Sequence, residues 1–454
     1  MSIQRSRCSM SSISAFLRPT SLSFHTSNAM GRPYDERGLS RILDRRWLLS
    51  SPQVKIHEVL LSNAKEAGGT CANLFSFSSN LHPALGEKLK ESRQRRNSFY
   101  VIRDDLLHPL ISGNKTRKLD ALLPLIEAHS VTDVVTCGGC QSAHAAALAV
   151  ACAERGIQAH LLLRGEQPEI PTGYNLISEM YGHVIYVPRS VYANREALLA
   201  RHASLIAGDD GSIMWLHDEV KMSPMPVENY ASHQHGSKVH MSCIATCTST
   251  RKVAVVKEGG GDAVALLGLI RLVDYLSQPS LFGRDQTVQI VVDSGTGTTA
   301  VGLALGALLL GLPWKVTGIM LADTAEGYEK HKVRLLTEFK KLIMGDCIFT
   351  FDEKSVDLVH WIERQMPRKF GRVFKGELEL CREIAQRTGI LLDPVYTLSS
   401  WEHASLTCQK CINSNDIVVM LHTGGTLGLF GLAQRYKSFF PLSQENIAKP
   451  ALCV

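Results

Sequence analysis

From Ser98 onward the chain alternates two hydrophobic periods, and that alternation leaves few folds open. Apolar residues at every second position mark strands, and apolar residues three and four apart mark helices. The strand-like segments are Ser98–Leu106, Val131–Gly139, Gln158–Gly165 and His183–Pro188, and the helical ones are Thr116–Ser130, the alanine-rich Ser142–Gly156 and a stretch around Tyr174–Tyr181. The alternation resumes with the helix "DAVALLGLIRLVDYLS", the strand "TVQIVVDSG", a helix from Thr299 and the strand Lys315–Asp323. Repeated strand-helix pairs predict an α/β protein, with parallel sheets covered by helices and joined by right-handed crossovers. Up to about Lys88 the residues read as a presequence and a poorly patterned, Ser-rich lead-in, so regular structure is expected only later.

A chain of 454 residues, 45% hydrophobic and 20% charged, can build two domains with large cores. Its formal charge of +6 is small for that length and gathers among N-terminal arginines, which is no nucleic-acid footprint. Met1–Met30 contains Arg and many Ser but no Asp or Glu, the composition of a transit peptide; a merely disordered tail is the plain alternative. The longest apolar run, from Ala300 to Trp314, is too short to cross a bilayer, so no membrane partner is expected. The twelve cysteines lie far apart and follow no secretory signal, which argues for reduced thiols.

Between Met222 and Lys252 the pattern breaks into an irregular insertion. His233, His235, His240, Cys243 and Cys247 are zinc-ligand types, but their spacing fits no common finger, and a mobile surface insertion is the favoured reading.

Chemistry is concentrated in three places. "ISGNKTRKLD" (Ile111–Asp120) puts Lys115 and Lys118 at a helix start, where cations oppose the helix dipole. That placement makes sense beside a bound anion, or if one lysine is a neutral amine; a solvated basic helix start is the bland alternative. "VVDSGTGTTAVG" (Val291–Gly302) is a strand, a glycine loop and a helix in succession, a geometry suited to phosphate. Gly295-x-Gly297-x-x-Ala300 with Asp323 also fits a dinucleotide fingerprint, but the hydroxyls of Ser294, Thr296, Thr298 and Thr299 suit a phosphate monoester better. The third place joins "GILLDPVYTLSS" (Gly389–Ser400) to "DIVVMLHTGGTLGLF" (Asp416–Phe430), a buried strand opening into a glycine turn. "TCGGCQSAH" (Thr136–His144) reads either as a C-x-x-C knuckle or as an active-site turn that happens to hold two thiols.

In this order, "GNKTRKL", "GGCQSAH", "SGTGTT", "LLDPVYT" and "HTGG" resemble the family of 1-aminocyclopropane-1-carboxylate deaminases and D-cysteine desulfhydrases, above all its plant organellar desulfhydrases, over roughly Leu81 to Pro441. The resemblance implies a fold type II enzyme with pyridoxal 5'-phosphate between two parallel-sheet domains, and a homodimer acting on a small amino acid. With the transit peptide of the N-terminal composition at 1–50, the expected division is a lead-in and the first part of the large domain at 51–130, a small domain at 131–211, the irregular insertion at 222–252 and the large domain again at 253–454. The organelle expected is the mitochondrion, with the plastid as alternative.

Residue by residue, the resemblance makes Lys115 the lysine that carries the cofactor and places Lys118 near its phosphate. Asn114 and the loop Ser294, Gly295, Thr296, Gly297, Thr298 and Thr299 would hold the cofactor, with Tyr396 stacked on its ring and Thr397 beside it. Ser142 matches the active-site serine, and Gln141, Ala143 and Phe370 join it around the substrate. On this reading the thiols of Cys137 and Cys140 are incidental, as is the second C-x-x-C, Cys408 to Cys411. Two departures bear on the substrate: Thr397 stands where the deaminases have an acid toward the pyridine nitrogen, and Phe370 stands where the family has a second tyrosine. The resulting expectation is release of sulfide, pyruvate and ammonia from D-cysteine. The alternatives are deamination of the cyclopropane amino acid, a carrier of the cofactor without catalysis, and a nicotinamide enzyme.

Overall fold

The computed structural model describes residues 36–63, 75–92, 97–111, 113–216, 250–343, 352, 357–410 and 416–440, all within one compact unit, Pro33–Val454. Residues 1–35 of the expected transit-peptide segment, nearly all of the 222–252 insertion and Cys411 lie outside the described residues. In chain order the strands are β1 (Ile56–Asn63), β2 (Phe75–Asn80), β3 (Ser98–Ile102), β4 (Asp133–Gly139), β5 (Gln158–Arg164) and β6 (His183–Val187). They continue with β7 (Ser212–Trp215), β8 (Lys252–Val255), β9 (Val288–Ser294), β10 (Lys315–Met320), β11 (His360–Glu363) and β12 (Ile417–Leu421).

Two sheets form. The seven-stranded sheet has the order β11-β10-β9-β12-β3-β1-β2, parallel from β11 to β3, with β1 and β2 added antiparallel at one edge. The five-stranded sheet, β6-β5-β4-β8-β7, is parallel throughout. β7 and β8 enter this second sheet from beyond residue 211, because β8 pairs with β4 while its other edge takes β7.

The lead-in is more ordered than its composition suggests. A helix spans Glu36–Leu43, and β1 and β2 both precede Lys88. A charge at an inward position hides the period of β1: Glu58 is buried, accepting hydrogen bonds from Asn80 Nδ2 (3.0 Å) and Ser98 Oγ (2.8 Å). β2 reads FSFSSN, serine-rich as an edge strand can be.

The central packing pairs helix Leu266–Leu276 with helix Thr298–Leu309, which is buried on nearly all sides. Helix Asn114–Ala128 lies against the former and is locked by a fully buried ion pair, Arg117 Nη2 to Asp104 Oδ1 at 2.8 Å, with Arg117 Nη1 also donating to Pro52 O. The parallel strands deliver their C-terminal ends together. β9 runs into the Ser294–Gly297 loop and β12 into His422–Gly425, while β4 of the second sheet runs into Gly139–Ser142. Ligands of open α/β sheets bind at such ends. Among the described residues, no helix is long and apolar enough to cross a membrane.

Candidate active site

Lys115 stands at the second position of helix Asn114–Ala128, and the turn before it is closely specified. Gly113 has φ 70° and ψ −148°, a region essentially reserved for glycine, and a Cβ there would lie 1.8 Å from Thr423 O. This contact brings the chain against the end of β12, where Asn114 N donates to Thr423 O at 3.2 Å. Asn114 then works from both ends of its amide: Nδ2 donates to Thr299 Oγ1 (2.8 Å) and Oδ1 accepts from Lys115 Nζ (2.9 Å). Burial pulls the Lys115 amine down to about 8, opposed by the Asp293 carboxylate. The side chain nonetheless keeps part of its surface accessible.

One turn on, Lys118 is buried and donates to Gly259 O at 2.8 Å. Burial, then the charge of Lys115, lowers it well below the usual lysine range. His144, also buried, is pushed down by burial and both lysines and is therefore neutral. Since the Thr136 hydroxyl donates to Val256 O (2.8 Å), His144 Nε2 must donate to Thr136 Oγ1 (3.1 Å), which leaves Nδ1 as an acceptor.

The loop from Ser294 to Thr299 forms a cradle of donors. The amides of Thr298, Thr299 and Ala300 begin a helix and have no acceptor within it. Hydroxyls add to them: Thr296 Oγ1 meets Thr298 Oγ1 at 3.1 Å, which meets His331 Nε2 at 3.0 Å. Burial and cationic neighbours push His331 down to about 3, so it is a neutral partner. Ser294 Oγ is buried with no hydrogen-bond partner among the described residues, while its carbonyl is pinned by the Tyr328 hydroxyl. A second glycine turn, Glu258–Gly260, backs the cradle so tightly that a Cβ on Gly259 would lie 2.7 Å from Thr296 Cγ2. Amides, hydroxyls and a buried lysine converging on one loop are the donor set a phosphate monoester requires, so the residues fit a phosphate-bearing cofactor.

The third wall carries Tyr396 and Phe370. A Cβ on Gly295 would sit 3.4 Å from the Tyr396 ring, so this ring lies across the cradle, and Phe370 meets it edge-on at 5.5 Å between centroids. Phe370 is 44% exposed, as a residue at the mouth would be. Thr397 is placed differently from the other candidates. Its side chain is fully buried and its hydroxyl is committed to Asp393, donating to Oδ2 (2.9 Å) and accepting from the backbone N (2.8 Å). Asp393 Oδ1 also accepts from the amides of Val395 and Tyr396, so this carboxylate shapes the turn that presents Tyr396.

Ser142 caps helix Ala143–Ala153, its Oγ accepting from Ala145 N at 3.2 Å, and both Ser142 and Ala143 are half-buried. The Gln141 amide is spent on backbone, donating to Thr172 O (2.9 Å) and accepting from Tyr174 N (3.1 Å). Cys137 is buried in the apolar core, its thiol pushed up to about 12 by burial, whereas Cys140 rests against Arg164 O and Glu166 O.

Sequence reading passes over several residues that this geometry brings in. Asp293, the penultimate residue of β9, is buried and accepts from Thr423 Oγ1 at 2.6 Å; burial and the nearby Asp393 raise its carboxyl to about 7. Thr423, Asp393, His331 and the turn Glu258–Gly260 complete the set. "EGGGD" could have signalled the turn and Asp393-Pro394 the cap, but nothing local to Asp293 distinguishes it from an ordinary strand end.

A lysine amine at a helix start, a donor-rich glycine loop after a parallel strand and a tyrosine ring lying across that loop define an enzyme of fold type II. No family model matches the chain, but individual proteins do. It is 49% identical over 403 residues to the rice (Oryza sativa subsp. japonica) protein named "Putative D-cysteine desulfhydrase 2, mitochondrial", covering 88% of this chain and 95% of that one. An Arabidopsis thaliana protein named bifunctional D-cysteine desulfhydrase/1-aminocyclopropane-1-carboxylate deaminase, mitochondrial, is 26% identical and 73% of each chain is covered. A solved structure described as an ACC deaminase homologue shares the fold at a TM-score of 0.62, with 20% identity over 89% of this chain and all of that one. The chain belongs to the D-cysteine desulfhydrase and 1-aminocyclopropane-1-carboxylate deaminase family.

Proposed function

We propose that this protein is a pyridoxal 5'-phosphate-dependent D-cysteine desulfhydrase, releasing hydrogen sulfide, pyruvate and ammonia. The observation that carries the reading is the pairing of an accessible but desolvated Lys115 amine with the hydroxyl-and-amide cradle Ser294–Thr299. Asn114 joins the two, bonding Lys115 through one amide atom and Thr299 through the other. Bound there, the cofactor would withdraw electrons from the substrate's α-carbon.

The chain supplies the rest. Thr296, Thr298, Thr299 and the amides of the helix start would hold the phosphate, and Tyr396 would lie against the ring. An amine lowered to about 8 has a neutral fraction near physiological pH, so Lys115 Nζ can take the α-proton. Ser142 and the amides of its turn would receive the substrate carboxylate at a helix N-terminus. Thiolate is a better leaving group than a ring carbon, and Phe370 offers no hydroxyl to assist ring opening. These two facts favour cysteine over the cyclopropane amino acid.

The names of the rice and Arabidopsis relatives support a mitochondrial location, and the homodimer is proposed on the sequence resemblance alone. Purified protein should show a violet absorbance band that shifts on adding substrate. It should yield sulfide, pyruvate and ammonia in equal amounts from D-cysteine, with little from L-cysteine. Abundant 2-oxobutanoate from 1-aminocyclopropane-1-carboxylate would replace this reading with the deaminase, and a band without product from any substrate would replace it with a cofactor carrier.

A further inference from the structure

A buried carboxylate stands in the site without a part in the scheme above. Asp293 is 4% exposed at the C-terminal end of β9, immediately before the cradle. Its Oδ1 accepts from Thr423 Oγ1 at 2.6 Å, and Thr423 O accepts from Asn114 N at 3.2 Å. Asn114 Oδ1 in turn accepts from Lys115 Nζ at 2.9 Å. A continuous run of hydrogen-bonded groups thus leads from the carboxylate on β9 to the amine on helix Asn114–Ala128, by way of Thr423 in the turn that follows β12.

Charge gives this arrangement a purpose. Lys115 is crowded by Lys118 from its own helix and by the neutral His144 from helix Ala143–Ala153. Burial alone drives its amine toward neutrality, and a charged Lys118 would drive it further. A base that is too easily deprotonated cannot keep the proton it has taken. Asp293 is the anion that acts on Lys115 against this, while Asp393 and Tyr396 face Asp293 from the adjoining turn and both Asp262 and Asp293 act on Lys118.

We propose that Asp293 is a positioning residue for Lys115: its carboxylate, fixed by Thr423, sets the charge of the lysine amine and keeps it basic enough to hold the substrate's α-proton. The proposal rests on Lys115 as the amine that moves this proton. Its electrostatic content is testable without the cofactor.

The test is competitive labelling of Lys115 with acetic anhydride across pH, read by peptide mass spectrometry on the full chain after hydroxylamine dialysis. The parent should show a labelling midpoint near pH 8. Asp293→Asn removes the charge but keeps the shape, and should move the midpoint down by about 1 to 3 pH units, the usual effect of losing a close opposite charge. Asp293→Glu should move it much less. Thr423→Val, which frees the carboxylate and raises its own protonation, should move it in the same direction as Asp293→Asn but by a smaller amount. A midpoint unchanged in Asp293→Asn, or moved equally by the Asn and Glu variants, would overturn the proposal. Should Asp293→Asn fail to fold, Thr423→Val carries the test alone, and an unmoved midpoint there would overturn it. Absence of a visible chromophore in the parent would defeat the cofactor reading and leave this result standing.

Discussion

Two lysines one helical turn apart do different work because their amines meet different partners. Lys115 Nζ has a single amide oxygen and an accessible side, whereas Lys118 Nζ is committed to Gly259 O and so holds the Glu258–Gly260 turn against Thr296. Lys115→Ala should therefore fold, lose the lysine-linked band and lose about 10²- to 10⁴-fold in turnover, the span of a positioned proton-transfer group. Lys118→Ala should mainly weaken cofactor retention, since it frees the turn that backs the cradle. Borohydride trapping and peptide mapping distinguish the two; a pyridoxyl label on Lys118 would reverse the assignment. Cysteine is also divided by placement: Cys137 packs in the core beside Tyr192, and its neighbour in the motif faces backbone carbonyls instead.

Among the elements, the junction of helix Asn114–Ala128 with the end of β12 carries the most constraint. Gly113 combines a glycine-only backbone conformation with a contact that leaves no room for a methyl group. Gly113→Ala should cost at least about 2 kcal/mol from the backbone conformation, and displacement of Thr423 should also break the Asn114 bridge between Lys115 and Thr299. Denaturant unfolding measures the first effect and equilibrium dialysis of pyridoxal phosphate the second. If cofactor retention were unchanged, the bridge would have no role in assembling the cradle. The same helix is tied to the turn at Asp104 by the buried Arg117–Asp104 pair, where burial raises the Asp104 carboxyl and the guanidinium opposes it.

The two sheets are tied at the rim of the site as well as at its floor. Gln434, in helix Gly428–Arg435, accepts from Thr172 Oγ1 (3.2 Å) and donates to Ile170 O (2.7 Å), while Gln141 holds Thr172 and Tyr174 from the other side. Segment Ile170–Tyr174 is thus a strap between the smaller sheet's loops and helix Gly428–Arg435. Gln434→Ala should loosen it by the worth of one or two hydrogen bonds, about 0.5–1.5 kcal/mol each. The expected readout is roughly 2- to 10-fold faster amide exchange across residues 170–174, with KM raised more than kcat lowered. Unchanged exchange there would show that the strap is held by packing alone.

The strand and helix alternation, the lysine-bearing helix start and the Ser294–Thr299 loop were legible in the sequence, because each depends on local periodicity or turn chemistry, whereas Tyr396 stood out only through the resemblance of its motif. The early strands were not, since Glu58 at an inward position and the serines of β2 contradict a simple apolar period, and only the partners Asn80 and Ser98 make that carboxylate tolerable there. Thr397 looked like a residue of the cleft by its place beside Tyr396, but the Asp393 cap turns its hydroxyl away. Asp293 and Thr423, 130 positions apart, become partners only when β9 and β12 lie side by side. Periodicity determined which segments become strands and helices and where the glycine loops fall; the pairing of parallel strands decided which acid faces the lysine, because a hydrogen bond across a sheet leaves no trace in the spacing of the residues that make it.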